Sequence, residues 1–567
     1  MCVFGSVVRG ETAEEILALP KPGVILFSRL PNLGSRKGVE DMTKKRLLLA
    51  LAALLALAAL APAVRADVRL PAVIGSNMVL QADARTCIWG WADAGEKVTV
   101  TIGDQKAEAV ADSAGKWQVR LAAMKAGTGP LEMTIAGKNS LKLTNILVGE
   151  VWICSGQSNM EMSVKSSRDS EKEIADARYP KIRLLTVTKI ASDAPLIGGK
   201  GQWVECSPET VPPFSAVGYF FGRRLHEDLG VPVGLIGTNW GGTPAEAWTS
   251  GEALEADPDL KAVCDRWKQS AGNYSKALDA WAKTKEKKLA DWKAAADKAK
   301  ADGKQAPRRP GPPDDPAKSP HAPTSLYNGM IAPLIPFGIR GAVWYQGESN
   351  AGRPVEYRKL FPAMIADWRK AWGEGGFTFL FVQLANFKAR KTDPNEKSDW
   401  AALREAQTMT LALPKTGMAV IIDIGEGNNI HPKNKQDVGK RLALAAEAGT
   451  YGKDVVYSGP MYESMKVEGD KVRLKFKHIG GGLVAKGEKL TGFAIAGEDR
   501  KFVWADARID GDTVVVSAKD VARPVAVRYA WADNPECNLY NTADLPASPF
   551  RTDDWPVGEQ APPAAKK

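Results

Sequence analysis

The chain has 567 residues, enough for several domains and a large core. Hydrophobic residues at 44% and charged residues at 25% are ordinary for a soluble globular protein. The formal charge of +10 does not mark a nucleic-acid-binding protein: nine Lys/Arg and five Asp/Glu fall in residues 1–66, leaving +6 over the other 501 residues, no footprint for a polyanion.

Residues 42–66, MTKKRLLLALAALLALAALAPAVRA, have the three parts of a secretory signal. Lys44, Lys45 and Arg46 precede an apolar run from Leu47 to Ala61, and the small-x-small pattern Val64-Arg65-Ala66 stands before Asp67. Fifteen apolar residues are short for a membrane span. A signal of this kind begins at a chain start, so residues 1–41 read as a mis-called extension, with translation starting at Met42. The expectation is an exported protein, periplasmic or secreted, with no stable membrane span once the signal is cleaved. Five cysteines then remain, Cys87, Cys154, Cys206, Cys264 and Cys537, with no C-x-x-C among them, so neither a zinc site nor a disulfide scaffold is indicated. An exported chain can close one or two bridges. The odd count leaves at least one thiol free, and Cys154 within VWICS is the candidate.

From 67 to 145 the chain reads as short strands with Gly/Asp turns, TCIWGWA, KVTVTIG, KWQVRLA and LEMTIAG, which fit a β-sandwich domain. From 146 to 450 the pattern changes. The apolar strands ILVGEVWIC, VGLIGTN, GAVWYQ, FTFLFVQL and MAVIID alternate with amphipathic helices. That alternation predicts an α/β fold, a doubly wound parallel sheet covered on both faces. Within it, 251–323 is an insertion. Tyr274, Leu278, Trp281, Leu289, Trp292 and Ala296 recur at helical spacing among nine lysines from Lys276 to Lys304. They predict an amphipathic hairpin with its Trp face docked on the body and its lysines in water. A proline-rich connection follows, Ala306 to Pro323. From 451 to 567 strands return as a C-terminal β-rich region ending in a polar tail.

Ligands of doubly wound sheets bind outside the carboxyl ends of the strands. Ser158, Gly241 and Gly242, the QGESN block from Gln346 to Asn350, and His431 each follow such an end. Acyl transfer at a serine needs a base for its proton and donors for the oxyanion that develops. Of the four histidines, His226 lies in an amphipathic helix, His321 in the proline-rich connection and His478 in the C-terminal region. His431 alone follows a sheet strand. G-x-S-N occurs twice, at Ser158 and Ser349, so the tetrapeptide decides nothing by itself. Ser158 follows the longest early strand beside Gly156, whereas Ser349 adjoins Glu348, whose carboxylate disfavours an oxyanion. Gly241 and Gly242 offer backbone N–H groups, and Gln346 or Asn350 a side-chain donor.

In order, GEVWICSGQSNM, NWGGTPAEAW, SLYNGMIAPL, WYQGESNA, LREAQ and IHPKNKQDVGKRLA resemble the sialate O-acetylesterases of the SGNH-hydrolase superfamily. The likeness extends to GSNMVLQ near the start and YAWADNPECNLYN near the end. The resemblance implies a flavodoxin-like catalytic domain with β-rich appendages, and removal of O-acetyl groups from sugars with no metal and no cofactor. It implies Ser158 as nucleophile and His431 as base, with the Ser158 N–H, Gly241 or Gly242, and Gln346 at the oxyanion. Asn350, Trp248 and Arg404 are the expected substrate contacts, with Trp240, Trp344 and Arg353 beside them. The chain departs from the superfamily at Asn428, which holds the position of an Asp three residues before the histidine. Either Asp423 or Glu426 reaches the imidazole instead, or a backbone carbonyl orients it and a Ser–His dyad operates. No motif is sugar-specific and none sets an oligomeric state. Acetylated xylan or pectin is an alternative substrate, and a non-catalytic glycan-binding scaffold is the rival from another class.

Overall fold

The strand that organises the molecule is β1, Ser140–Gly156. Its sequence changes character half-way. In SLKLTN, polar and apolar residues alternate and exposure alternates with them, whereas all eleven residues of ILVGEVWICSG are buried. Alternation suits a strand with one wet face, and a continuous apolar run suits one covered on both. The first half accordingly pairs antiparallel with Leu131–Ala136, and the second enters a parallel sheet. The boundary expected at 145/146 therefore falls inside one unbroken strand. The structure, a computed structural model, describes residues 67–303, 306–313, 315–373 and 375–557. The signal-like segment 42–66 and the extension 1–41 lie outside them.

The other parallel strands are β2 (Val233–Asn239), β3 (Gly341–Tyr345), β4 (Thr378–Val382) and β5 (Thr416–Ala419). Their spatial order is β2-β1-β3-β4-β5, the flavodoxin-like order in which the sheet reverses direction between β1 and β3. Beyond β2 the sheet is widened by Tyr179–Thr186, parallel to β2, and by an antiparallel edge, Trp203–Cys206. Helices cover both faces. On one, α1 (Ala216–Leu229) and α4 (Lys435–Gly449) pack together, and Trp152 of β1 meets Phe221 of α1 edge-on. On the other, α2 (Pro354–Trp372) packs on α3 (Asp399–Met409), and Trp344 of β3 stacks on Phe361 and meets Trp368 edge-on, both from α2. This is the doubly wound α/β fold that the run of apolar strands and amphipathic helices predicts.

Within residues 67–145, Val79–Gln81 pairs parallel with β1, and the other strands pair antiparallel: Thr86–Trp91 with Lys116–Leu121, and Lys97–Ile102 with both Gln105–Val110 and Leu131–Ala136. Near the C-terminus two four-stranded antiparallel sheets share one apolar core, Val472, Leu474 and Val516 from the first meeting Phe493, Ile495 and Val527 from the second. None of the five cysteines among the described residues is in a disulfide.

The insertion differs from its expected packing. Its 28-residue helix, Tyr274–Ala301, buries no residue against the body. Trp292 of the stripe is covered from its own connection instead. The Trp292 indole N–H donates to the Pro307 carbonyl at 2.8 Å, and the Arg309 guanidinium lies over the ring. Pro307 and Arg309 of the proline-rich segment are thus the partners of Trp292, where docking on the body was expected.

Candidate active site

Gly156, the last residue of β1, has φ +136°. A Cβ there would lie 2.2 Å from the Tyr345 carbonyl oxygen at the end of β3, so only glycine lets the two strand ends approach this closely. The chain then turns through Gln157 into a one-turn helix, Ser158–Glu161. The Gln157 side-chain oxygen accepts the N–H groups of Gly347 (3.4 Å) and Ser349 (3.2 Å), pinning the turn after β1 to the turn after β3. Ser158 thus stands at the point where the sheet reverses direction.

His431 arrives on the loop after β5, and its Nε2 lies 2.8 Å from Ser158 Oγ. The loop is clamped by its own side chains. Asn429 accepts the His431 N–H at 3.0 Å and donates to the His431 carbonyl at 3.0 Å, while Glu426 accepts from Asn429 Nδ2 (3.1 Å) and from the Lys433 N–H (2.8 Å). The imidazole is half-buried. That burial, and secondly the nearby Lys435 ammonium, hold its pKa below the ordinary histidine value. A hydroxyl and a neutral imidazole at this separation form a proton-transfer pair.

Neither acid considered from the sequence bonds the ring. Both carboxylate oxygens of Asp423 bind Arg441, at 2.6 and 2.8 Å, and one also accepts the Tyr540 hydroxyl at 3.2 Å. Glu426 is committed to the loop backbone and Asn429. Asn428 is exposed. Among the described residues no carboxylate hydrogen-bonds His431 Nδ1.

The expected oxyanion donors divide. The Ser158 and Gly242 N–H groups have no hydrogen-bond acceptor among the described residues. Gly241 packs against Ser158, its would-be Cβ 3.3 Å from Ser158 Cβ, but its N–H donates to Glu161 Oε2 at 2.5 Å. Glu161 in turn is paired with Lys189. Gln346 is fully buried and points elsewhere. Its amide N–H donates to Asn350 Oδ1 at 2.6 Å, and its amide oxygen accepts the Tyr357 hydroxyl at 2.9 Å. The Gln346 expectation is therefore corrected: the side chain braces the turn after β3 from beneath. The cleft above Ser158 holds about 610 Å³ and includes His431, Glu161, Lys165, Lys189 and Asn239 in its lining. Among the described residues no group of three His, Cys, Asp or Glu is gathered as a metal site requires.

Residues 318–448 match the family model described as carbohydrate esterase, sialic acid-specific acetylesterase. Over 533 residues the chain is 31% identical to the sialate O-acetylesterase of Homo sapiens, covering 85% of this chain and 92% of that one. The chain belongs to the sialate O-acetylesterase family. It is accordingly a carboxylic-ester hydrolase, of a family that cleaves O-acetyl esters. The Rattus norvegicus sialate O-acetylesterase is also 31% identical, over 85% of this chain and 94% of its own length. A crystal structure of a carbohydrate acetylesterase from Xanthomonas citri is 38% identical, covering 86% of this chain and 100% of that one, with a TM-score of 0.73.

In this sialate O-acetylesterase family member, three expected substrate contacts turn out to be inside the protein. Trp248 is fully buried, donating to Thr243 Oγ1 at 3.0 Å and meeting Trp344 edge-on. Arg404, also fully buried, spends its guanidinium on the carbonyls of Leu384, Ala385, Ala532 and Asp533 at 2.7–2.9 Å, and burial lowers its pKa to about 9. Asn350 accepts the Ala245 N–H at 2.9 Å and donates to Glu246 at 2.8 Å. All three are corrected for one reason: they are buried side chains whose polar atoms bond within the protein, and they build the site's walls. Trp344 is buried likewise, whereas Trp240 is partly exposed, with Lys189 over its ring. Arg353 is paired with Glu246 at 2.6 Å and lines a neighbouring cleft of about 460 Å³ beyond Gly242. His321, set aside by sequence, also reaches that edge, its Nε2 3.0 Å from the Gly242 carbonyl. Sequence reasoning likewise passed over Asn159, Glu161 and Lys435. The available signal was their place in or directly beside motifs already singled out, one to four residues from Ser158 or His431.

Proposed function

We infer that the protein releases acetate from O-acetylated sugars through an acetyl-serine intermediate, and does so outside the cytoplasm. One observation carries the reading: Ser158 Oγ and His431 Nε2 lie 2.8 Å apart at the floor of an open cleft where the sheet reverses direction. His431 takes the Ser158 proton as Oγ attacks the acetyl carbonyl carbon. The tetrahedral oxyanion is held by the Ser158 N–H and the Gly241–Gly242 turn. The carbon–oxygen bond to the sugar breaks, and the sugar oxygen takes the proton from His431, leaving acetyl-Ser158. Water, losing a proton to His431, then attacks the ester. Acetate departs and Ser158 recovers its proton.

The names of the relatives support an acetylated carbohydrate as substrate, with sialate O-acetyl groups first. Lys165 on the cleft rim is an exposed cation within reach of a sialate carboxylate entering the cleft. The leader-like composition of 42–66 supports export to the periplasm or medium. Among the described residues no helix is long and apolar enough to cross a membrane. The test is acetate release from O-acetylated sialosides and acetylated xylo-oligosaccharides side by side, with mass spectrometry of the quenched enzyme for a 42-dalton adduct (roughly the mass of one acetyl in place of a proton) on the Ser158 peptide. Turnover with no such adduct in any quench would remove the acyl-enzyme from the scheme.

A further inference from the structure

Beneath the Ser158–His431 pair lies a buried cluster that the acyl-transfer scheme does not use. Lys435, the first residue of α4, is fully buried, and its Nζ donates to Asn159 Oδ1 at 2.6 Å. Asn159, itself 1% exposed, donates from Nδ2 to Glu348 Oε1 at 2.6 Å and to the Ile430 carbonyl at 2.9 Å. The other Glu348 oxygen is buried without a hydrogen-bond partner. Three chain segments meet here: the turn after β1, the turn after β3 and the start of α4.

Both N–H donors and the oxygen of the Asn159 amide are engaged, by groups that all belong to other segments. Two of its connections have direct consequences for the pair above. Asn159 follows Ser158, and Ile430 precedes His431, so the 2.9 Å bond between them ties the two reacting side chains through their sequence neighbours. Lys435 reaches the same amide from the other side, with the Tyr345 ring 5.2 Å from its ammonium. The cluster therefore holds an ammonium and a carboxylate out of water, joined through one neutral amide. Burial without a direct counter-ion is costly, and such groups persist where they position or tune something.

We propose that Lys435, Asn159 and Glu348 are positioning residues for the esterase: Asn159 fixes the Ser158–His431 distance, and the Lys435 ammonium keeps His431 in the neutral form that accepts the serine proton. The proposal rests on the Ser158–His431 reading of the site. The titratable groups around Lys435 are Glu348 after β3, Glu426 on the loop after β5, and His431 itself. Burial lowers the Lys435 pKa to about 7, against the opposing pull of Glu348 and then Glu426. Burial also raises the Glu348 carboxyl, opposed by Asn159 and by the Lys435 charge. With Lys435 charged, a proton on the neighbouring imidazole is disfavoured by like charge.

The test is made in the full-length chain by following the imidazole C–H resonances of the four histidines by proton NMR against pH, with His431 assigned from the spectrum of His431→Gln. Lys435→Met and Lys435→Gln both remove the charge, one with an apolar and one with a polar tip, and Lys435→Arg keeps it. The two neutral variants are expected to titrate His431 at higher pH than the wild type, and the arginine variant is expected to stay near it. Repeating the titration in the Ser158→Ala background separates the outcomes. A lost His431 shift there overturns this proposal alone, whereas retained esterase activity in Ser158→Ala overturns the nucleophile reading alone. Asn159→Leu is expected to lower kcat by on the order of 10²-fold with KM little changed, the signature of misplaced reacting groups. An unmoved His431 titration in whichever neutral variant folds, or wild-type kcat in Asn159→Leu, would overturn the corresponding half of the proposal.

Discussion

The carboxylate of Asp423 closes on Arg441 and not on His431. Both its oxygens are within 2.8 Å of that guanidinium, and the Tyr540 hydroxyl takes up a further lone pair. The pair is nearly out of water, at 12% and 10% side-chain exposure. Asp423 therefore ties the loop after β5 to α4 and to the C-terminal region. The backbone of His431 is held by the clamp that Asn429 makes on either side of it.

Asp423→Asn is expected to lower unfolding stability by about 3 kcal/mol, since it strands most of a buried guanidinium charge. The kcat of the folded fraction should stay near wild type. Asn429→Ala should do the reverse, lowering kcat with a smaller loss of stability. Urea unfolding and acetate release on the same samples distinguish the two. A collapse of kcat in folded Asp423→Asn would restore Asp423 as the orienting acid.

The two G-x-S-N serines have opposite expected outcomes. Ser158→Ala removes the hydroxyl beside His431 and should cost roughly 10³-fold or more in kcat on p-nitrophenyl acetate. Ser349 Oγ donates to the Gly242 carbonyl at 2.9 Å. Ser349→Ala should therefore loosen that turn while leaving most of the rate. Equal losses in both variants would be incompatible with Ser158 as the sole nucleophile.

In the proposed mechanism the base must be neutral to act, and the surroundings of His431 disfavour its protonated form. The sign follows directly: kcat/KM rises with pH through an imidazole pKa lying below the ordinary value of about 6.5, and activity persists into mildly acidic solution. A pH profile of kcat/KM on a neutral ester measures it. An acidic limb at or above the ordinary imidazole pKa would contradict the half-buried, Lys435-facing environment.

How far the sequence could be read depended on what each signal reports. The continuous apolar strands and amphipathic helices announced the doubly wound sheet because burial on both faces leaves no polar alternation to confuse the pattern. Ser158 and His431 were singled out by their places at strand ends, and strand ends of such a sheet converge by topology. Gln346, Asn350, Trp248 and Arg404 stand in the same motifs, but a motif does not say which way a side chain points. All four point inward. Nor could the sequence foresee that Arg441, 18 residues after Asp423 and a turn and a half into α4, would claim that carboxylate. The Trp stripe of the insertion was legible as a helix face. Its cover was not, because any apolar neighbour satisfies such a stripe.

Arg404 shows what the inward-pointing residues do. Its guanidinium joins the carbonyls of Leu384 and Ala385 after β4 to those of Ala532 and Asp533 near the C-terminus. Arg404→Met leaves these buried carbonyls without their donor, at about 1–3 kcal/mol for each group left unsatisfied. A large drop in Tm is expected, with KM for an acetylated sialoside unchanged in the enzyme that remains folded. A raised KM at unchanged Tm would mean that Arg404 meets the substrate after all.

In the proposed mechanism Glu161 bears on the oxyanion most directly. Its carboxylate accepts the Gly241 N–H at 2.5 Å, on a turn packed against Ser158, with Lys189 as its other partner. An oxyanion that uses this N–H must displace a charge-assisted hydrogen bond, roughly twice as strong as a neutral one. Glu161→Gln keeps an oxygen to brace the turn but removes the charge, so the displacement costs less and the repulsion of the oxyanion falls. If Gly241 is a donor, kcat/KM on p-nitrophenyl acetate should rise by roughly fivefold, the equivalent of about 1 kcal/mol. If the oxyanion depends on Ser158 and Gly242 alone, the same variant should change the rate little, and Gly241 would serve only to let the turn approach the serine. A fall of 10²-fold would exclude both arrangements and make the Glu161 carboxylate itself part of the reaction.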